Sequence, residues 1–185
     1  SDKRLQRARR QFAEKNIDAI LISQPENRHY LSGFNGSAGF LLITAQNTIL
    51  ATDFRYVEQA KKQAPGYEIV QITGNITNWL PEIIVDFRLK RLGFEAEHLT
   101  FLTYQQLTDI IEETEFQLGL VPLDGLIEAQ RAIKEPEEIE LITRAAGITD
   151  AALAYIEDRI QTGISEQAVA WEIEKFLRQN GSDTL

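Results

Sequence analysis

Residues 38–54 read AGFLLITAQNTILATDF. Two apolar, β-branched runs, AGFLLIT (38–44) and NTILAT (47–52), are separated by a step short enough only for a turn. They are expected to pair as an antiparallel hairpin. Working outward, DAILI (18–22), YEIVQI (67–72), RLGFE (91–95) and FQLGLVP (116–122) are four further runs of strand length and composition. Helical patterns separate them. Residues 3–15 place Leu5, Ala8 and Phe12 on one face, and Asn16 suits a left-handed stop. Asp53 reads as the N-cap of a helix over FRYVEQAKKQA, which Pro65-Gly66 ends. Residues 76–87 read as helix, with Pro81 marking a kink or a late start. Thr103 and Gln106 match a capping box for a helix carrying Leu107, Ile110 and Ile111. Strands interleaved with helices, and one hairpin among them, predict the α/β class: a mixed six-stranded sheet covered by helices.

The pattern changes after residue 122. Residues 124–132 suit a short helix. Pro136 fits a first helical turn, and Glu137, Glu138 and Glu140 favour the positive end of the helix dipole. Ile142, Ala145, Thr149, Leu153, Ile156 and Ile160 then recur at helical spacing and predict one long helix broken by Gly163. Ser165 caps a last helix with Val169, Ile173, Phe176 and Leu177 as its buried stripe, and Gly181 ends it. Two amphipathic helices with no sheet to cover do not make a stable unit alone. The expected organisation is an α/β domain over 1–123, a linker over 124–134, and the initial helices of an incomplete second domain over 135–185.

Composition narrows the function classes. With 19 Lys and Arg against 28 Asp and Glu, the net charge is −9, which disfavours a nucleic-acid partner. The basic cluster Lys3, Arg4, Arg7, Arg9 and Arg10 reads as a solvated helix face in preference to a phosphate stripe. No apolar run approaches the roughly 18 residues of a membrane span, and no apolar segment follows the basic N-terminus as in a signal peptide. Cysteine is absent, so disulfides and thiolate metal sites are excluded and a reducing cytoplasm is the expected location. Methionine is absent too, and Ser1 is read as a residue left by processing or introduced artificially.

The chain is poor in catalytic groups. Its two histidines are His29 and His98. His98 follows Glu95 and Glu97, which suggests a metal site, but a polar surface loop is the favoured reading because no further ligand sits at suitable spacing. GFNGSAG (33–39) is glycine-rich but lacks a P-loop lysine and does not open a helix. Around it, Asn27, Arg28, His29, Tyr30, Phe34, Asn35 and Ser37 form a cluster able to recognise a ligand. The alternative is a loop whose glycines only turn the chain.

Four stretches are more specific: ENRHYLSGFNGSAGFLLIT (26–44), TDFRYVEQA (52–60), RAIKEPEEIELITRAAGITDAAL (131–153) and GISEQAVAWEIEKFLRQNGSDT (163–184). In order and spacing they closely resemble the Xaa-Pro aminopeptidase/prolidase, or creatinase-like, family of pita-bread metallopeptidases. The GSAG form of the first loop is more similar to the aminopeptidase P branch than to prolidase or creatinase. The resemblance implies a ribonuclease-H-like N-terminal α/β domain followed by the start of the catalytic domain. In that family two aspartates, a histidine and two glutamates hold two divalent metal ions, and all five lie downstream of the segments matched here. No cofactor is therefore expected in this chain, and two divalent ions, manganese the expected metal, in the full-length enzyme. Asp150, Asp158 and Asp183 are read as solvated carboxylates and not as substitute ligands.

What the resemblance carries over is a role for the N-terminal domain in homo-oligomer assembly and in shaping the peptide substrate's entrance. Tyr30, Phe34, Asn35, Gly36 and Ser37, with Arg55 beside them, are the candidates for that loop. The function implied is the non-catalytic portion of a proline-specific metallopeptidase that releases an N-terminal residue from Xaa-Pro peptides or cleaves Xaa-Pro dipeptides. Two alternatives share the architecture: a non-catalytic module binding peptides or basic proteins, and a creatinase-type amidinohydrolase. Neither a nucleic acid nor a membrane is an expected partner.

Overall fold

A computed structural model describes residues 2–113 and 117–182. Ser1, Phe116 at the head of the sixth apolar run, and Asp183 lie outside the described residues. The chain divides into two compact units, Ser1–Ala132 and Ile133–Leu185.

The first unit holds six strands, β1 (Ala19–Ile22), β2 (Phe40–Thr44), β3 (Thr48–Thr52), β4 (Glu68–Gln71), β5 (Arg91–Glu95) and β6 (Gly119–Leu123). They form one sheet in the order β4-β3-β2-β1-β5-β6. The expected hairpin is β2–β3, with Leu41 opposite Leu50 and Leu42 opposite Ile49. Its turn is fixed by Thr44, whose hydroxyl accepts from the Asn47 N–H at 2.8 Å. β1 also pairs antiparallel with β2, whereas β1–β5, β3–β4 and β5–β6 are parallel, so the sheet is mixed.

Alternation along the strands divides the core in two. Ile20, Ile22, Leu41, Ile43 and Leu50 face one side. There they meet Leu5, Ala8 and Phe12 of α1 (Asp2–Lys15), Tyr30 and Leu31 of α2 (Pro25–Ser32), Ala60 of α3 (Val57–Gln63), and Leu126 and Ile127 of α6 (Leu126–Ala132). Ala19, Leu21, Leu42, Ile49 and Leu92 face the other side. They meet Ile83 and Ile84 of α4 (Leu80–Asp86) and Leu107 and Ile110 of α5 (Phe101–Glu113). The stretch 124–134 thus contains α6, whose apolar side joins the first core. Asn16 ends α1 at φ 52°, as its side chain permits.

Several local details differ from expectation. The helix expected from Phe54 begins at Val57, because Asp53 turns its carboxylate to Arg55 and caps no helix. Thr100, not Thr103, caps α5: its hydroxyl accepts from the Thr103 N–H at 3.2 Å. Pro81 marks a late start, since a short 3-10 turn over Ile76–Asn78 precedes α4. The basic face of α1 is not simply solvated. Arg9 donates to the carbonyls of Thr44 and Asn47, and Arg4 donates to the carbonyl of Tyr30 while lying 4.0 Å from its ring centre.

The second unit contains α7 (Pro136–Glu157) and α8 (Glu166–Gln179). Pro136 opens α7 behind a capping box formed by Glu135 and Glu138, and Ser165 caps α8 through the Ala168 N–H. α7 stops at Glu157, ahead of Ile160 and Gly163, and only its Ala152 and Ile156 are buried. The stripe Val169, Ile173, Phe176 and Leu177 of α8 is half-buried throughout, so the burial expected of both helices is only partly realised.

Candidate functional site: a braced loop after the second helix

Loop 33–39 leaves α2 through Gly33, whose left-handed φ of 80° lets its N–H close on the His29 carbonyl. Phe34 is completely buried and Tyr30 nearly so. Gly36 lies flat on the Phe34 ring, where an added Cβ would stand 2.2 Å from Cζ. Beneath the loop, the buried Arg28 donates to the carbonyls of Gly36 and Gly39 and sits 5.5 Å from the Phe34 ring centre. Loss of water around the Arg28 guanidinium lowers its pKa, opposed by the charges of Glu26 and Glu95.

The exposed side of the loop is tied to α3 and its approach. The Asn35 side-chain oxygen accepts from Gln59 at 2.7 Å and Gln63 at 2.9 Å. Ser37 Oγ lies 2.7 Å from Tyr56 Oη, and the Tyr56 ring meets Phe34 edge-on. Arg55 makes two side-chain bonds to Asp53, at 3.0 and 2.7 Å, and its guanidinium lies 5.2 Å from the Tyr56 ring centre. The hydrogen bond from Arg55 holds the Asp53 carboxyl below the usual carboxylate range and raises the Arg55 pKa in turn.

The six residues singled out from sequence therefore fall into two layers. Tyr30, Phe34 and Gly36 are buried and form the base, while Asn35, Ser37 and Arg55 are exposed above it. Asn27 and Arg28, which looked like ligand-recognising groups, are both buried and bonded within the unit. His29 is exposed on α2. Gln59, Gln63 and Tyr56 brace the loop, and nothing in the local sequence pattern marked them. The exposed layer offers amide, hydroxyl and guanidinium groups, suited to hydrogen-bonding a polar chain and not to nucleophilic attack.

Glu95 is not part of a surface loop either. It is the last residue of β5 and buried, and its carboxylate accepts from the Ser23 N–H at 2.6 Å, the Gln24 N–H at 2.7 Å and the Asn27 amide at 2.7 Å. Glu128 of α6 also accepts from the Asn27 amide, and Arg131 donates to the Asn27 side-chain oxygen Oδ1 at 2.9 Å. A cavity of about 180 Å³ opens beside this network, with Glu97 and His98 at its wall. Among the described residues, no three His, Cys, Asp or Glu side chains are grouped so as to hold a metal. Asp150 and Asp158 are exposed.

Residues 4–133 match the model of the creatinase/prolidase N-terminal domain. The chain belongs to that family. This creatinase/prolidase chain is 39% identical over 181 residues to the uncharacterized peptidase YqhT of Bacillus subtilis strain 168, covering 98% of the chain and 50% of that protein. The structure of an Xaa-Pro dipeptidase from Bacillus anthracis superposes with a TM-score of 0.88 at 38% identity, over 98% of this chain and 50% of that one. The N-terminal domain of the cytoplasmic peptidase PepQ from Mycobacterium tuberculosis matches at 35% identity and a TM-score of 0.63, covering 70% of this chain and 98% of that one. The mixed sheet is thus the creatinase N-terminal fold, in a member of the Xaa-Pro peptidase family. The chain spans about half the length of the full-length relatives it matches.

Among the described residues, no helix is long and apolar enough to cross a membrane.

Proposed function

We propose that this chain is the non-catalytic N-terminal portion of a cytoplasmic, proline-specific metallopeptidase, and that its domain supports homo-oligomer assembly and shapes substrate access. The observation that carries the reading is the two-layered loop 33–39. A buried base of Arg28, Phe34 and Gly36 holds Asn35 and Ser37 in fixed positions at the surface, with Arg55 nearby. Preorganised polar groups on a rigid scaffold are what recognition of a peptide end requires. Two divalent metal ions, manganese the expected choice, would be held by residues outside this chain and would supply the activated hydroxide. This chain's contribution is to orient the peptide. The cytoplasmic location is supported by the absence of cysteine and by the PepQ relative.

The test uses the full-length protein. Asn35→Ala combined with Ser37→Ala should raise KM for an Xaa-Pro peptide while leaving kcat and the oligomeric state unchanged. An unchanged KM would remove the loop from substrate access. Residues 1–185 alone, supplied with manganese, should not hydrolyse the same peptide, and turnover by that material would overturn the non-catalytic assignment.

A further inference from the structure

The edges of the sheet are unequal. β6 carries Pro122, a residue that cannot donate to an added strand. β4 (EIVQ) has no proline, no lysine and no bulge, and among the described residues no strand pairs on its outer side. The Ile72 N–H points inward to the Thr52 carbonyl. By alternation, Val70 and Glu68 also bond toward β3, which leaves the backbone groups of Ile69 and Gln71 facing out.

A groove of about 320 Å³ runs beside this edge, on the face carrying α4. Its apolar lining includes Val70, Ile72, Trp79 and Phe87, and its acidic groups are Glu68, Glu82 and Asp86. No Lys or Arg lines it, and none of the three carboxylates has a hydrogen bond or ion pair among the described residues. Trp79, a buried member of the same lining, keeps its indole N–H without an acceptor. A long side chain with an apolar stem and a cationic head matches such a lining, because the stem is covered while the head reaches the carboxylates. Free backbone groups alongside supply the main-chain bonds of an added strand.

We propose that β4 and this groove form a docking site for an extended segment of another polypeptide, which adds as a strand and places a lysine or arginine in the groove. The site does not depend on the role given to loop 33–39.

The probe is a blocked peptide of alternating threonine and valine with one central lysine, titrated calorimetrically into residues 1–185 and followed by amide NMR shifts. Saturable binding is expected, with shifts centred on Ile69 and Gln71. Replacing lysine with norleucine, or introducing Glu82→Gln with Asp86→Asn, should weaken it at least about fivefold. Gln71→Pro removes one outward N–H and should abolish it. Methylating the edge-facing amides of the peptide tests the same bonds without altering the protein, and should also abolish it. Failure of the lysine peptide to bind, or equal binding by the methylated or norleucine peptide, would overturn the proposal. So would a chain that ignores the peptide and instead self-associates in sedimentation through a contact sensitive to Gln71→Pro.

Discussion

Arg28 and Gly36 show how a residue type that suggests recognition can serve as support. Arg28 forks to two backbone carbonyls of one loop, a geometry a lysine ammonium cannot reproduce from the same stem. Arg28→Lys should therefore leave a buried carbonyl without its donor and cost about 1–3 kcal/mol in urea denaturation. Gly36→Ala should cost a similar amount, about 1–3 kcal/mol, because the new methyl enters the space of the Phe34 ring. If either variant is as stable as the parent, the loop is not held from beneath as described. Asp53 gives a pH-dependent test at the same scale. Its carboxyl is depressed in the folded state, chiefly by the hydrogen bond from Arg55. Its contribution is thus present above the unfolded value of about 3.9 and is lost as pH falls through the lower folded value. An NMR titration of the Asp53 carboxyl should show a midpoint below the ordinary range, and Arg55→Ala should move it upward. The polar side chains of 27–37 were legible in the sequence as a cluster. Their division into base and surface was not, because burial of Arg28 and Phe34 depends on contacts with the rest of the sheet and α3.

Among the elements, strands were the most legible. Apolar β-branched runs such as ILI at 20–22 and TILAT at 48–52 leave little choice of conformation, and the Thr44–Asn47 spacing left only a tight turn. Helix starts were less legible, because several residues nearby carry the same capping chemistry. Asp53 has the right side chain for a cap but spends it on Arg55. Thr100 and Thr103 both qualify, and the chain path after β5 selects Thr100. Thr100→Ala should destabilise the protein by about 1 kcal/mol in urea denaturation, whereas Thr103→Ala should change stability by less than about 0.5 kcal/mol. The reverse order would return the cap to Thr103. The Glu95–Asn27–Glu128 network was invisible for a different reason. It joins residues of β5, α2 and α6 that are 68 and 101 positions apart, and no local period connects them.

At the scale of the whole chain, the two units have different means of standing alone. The first encloses its sheet between two apolar layers, and the buried residues on both faces belong to it. In the second, α7 buries only Ala152 and Ile156 and α8 buries no residue fully. In proteins most of a helix's stability comes from packing its apolar face on a partner, and α8, at 14 residues, is also of a length that is marginal alone in water. Each unit carries one of the chain's two tryptophans, the buried Trp79 and the 62% exposed Trp171, so fluorescence separates them. Residues 1–133 produced alone should fold, with the blue-shifted emission of a buried Trp79 and a single cooperative urea transition. Residues 133–185 alone should show weak helical circular dichroism that rises gradually on cooling, with no cooperative transition. A cooperatively folded 133–185 would mean that α7 and α8 hold each other through contacts stronger than their burial implies. A 1–133 that fails to fold would mean instead that the sheet, for all its apolar layers, depends on the residues after Ile133.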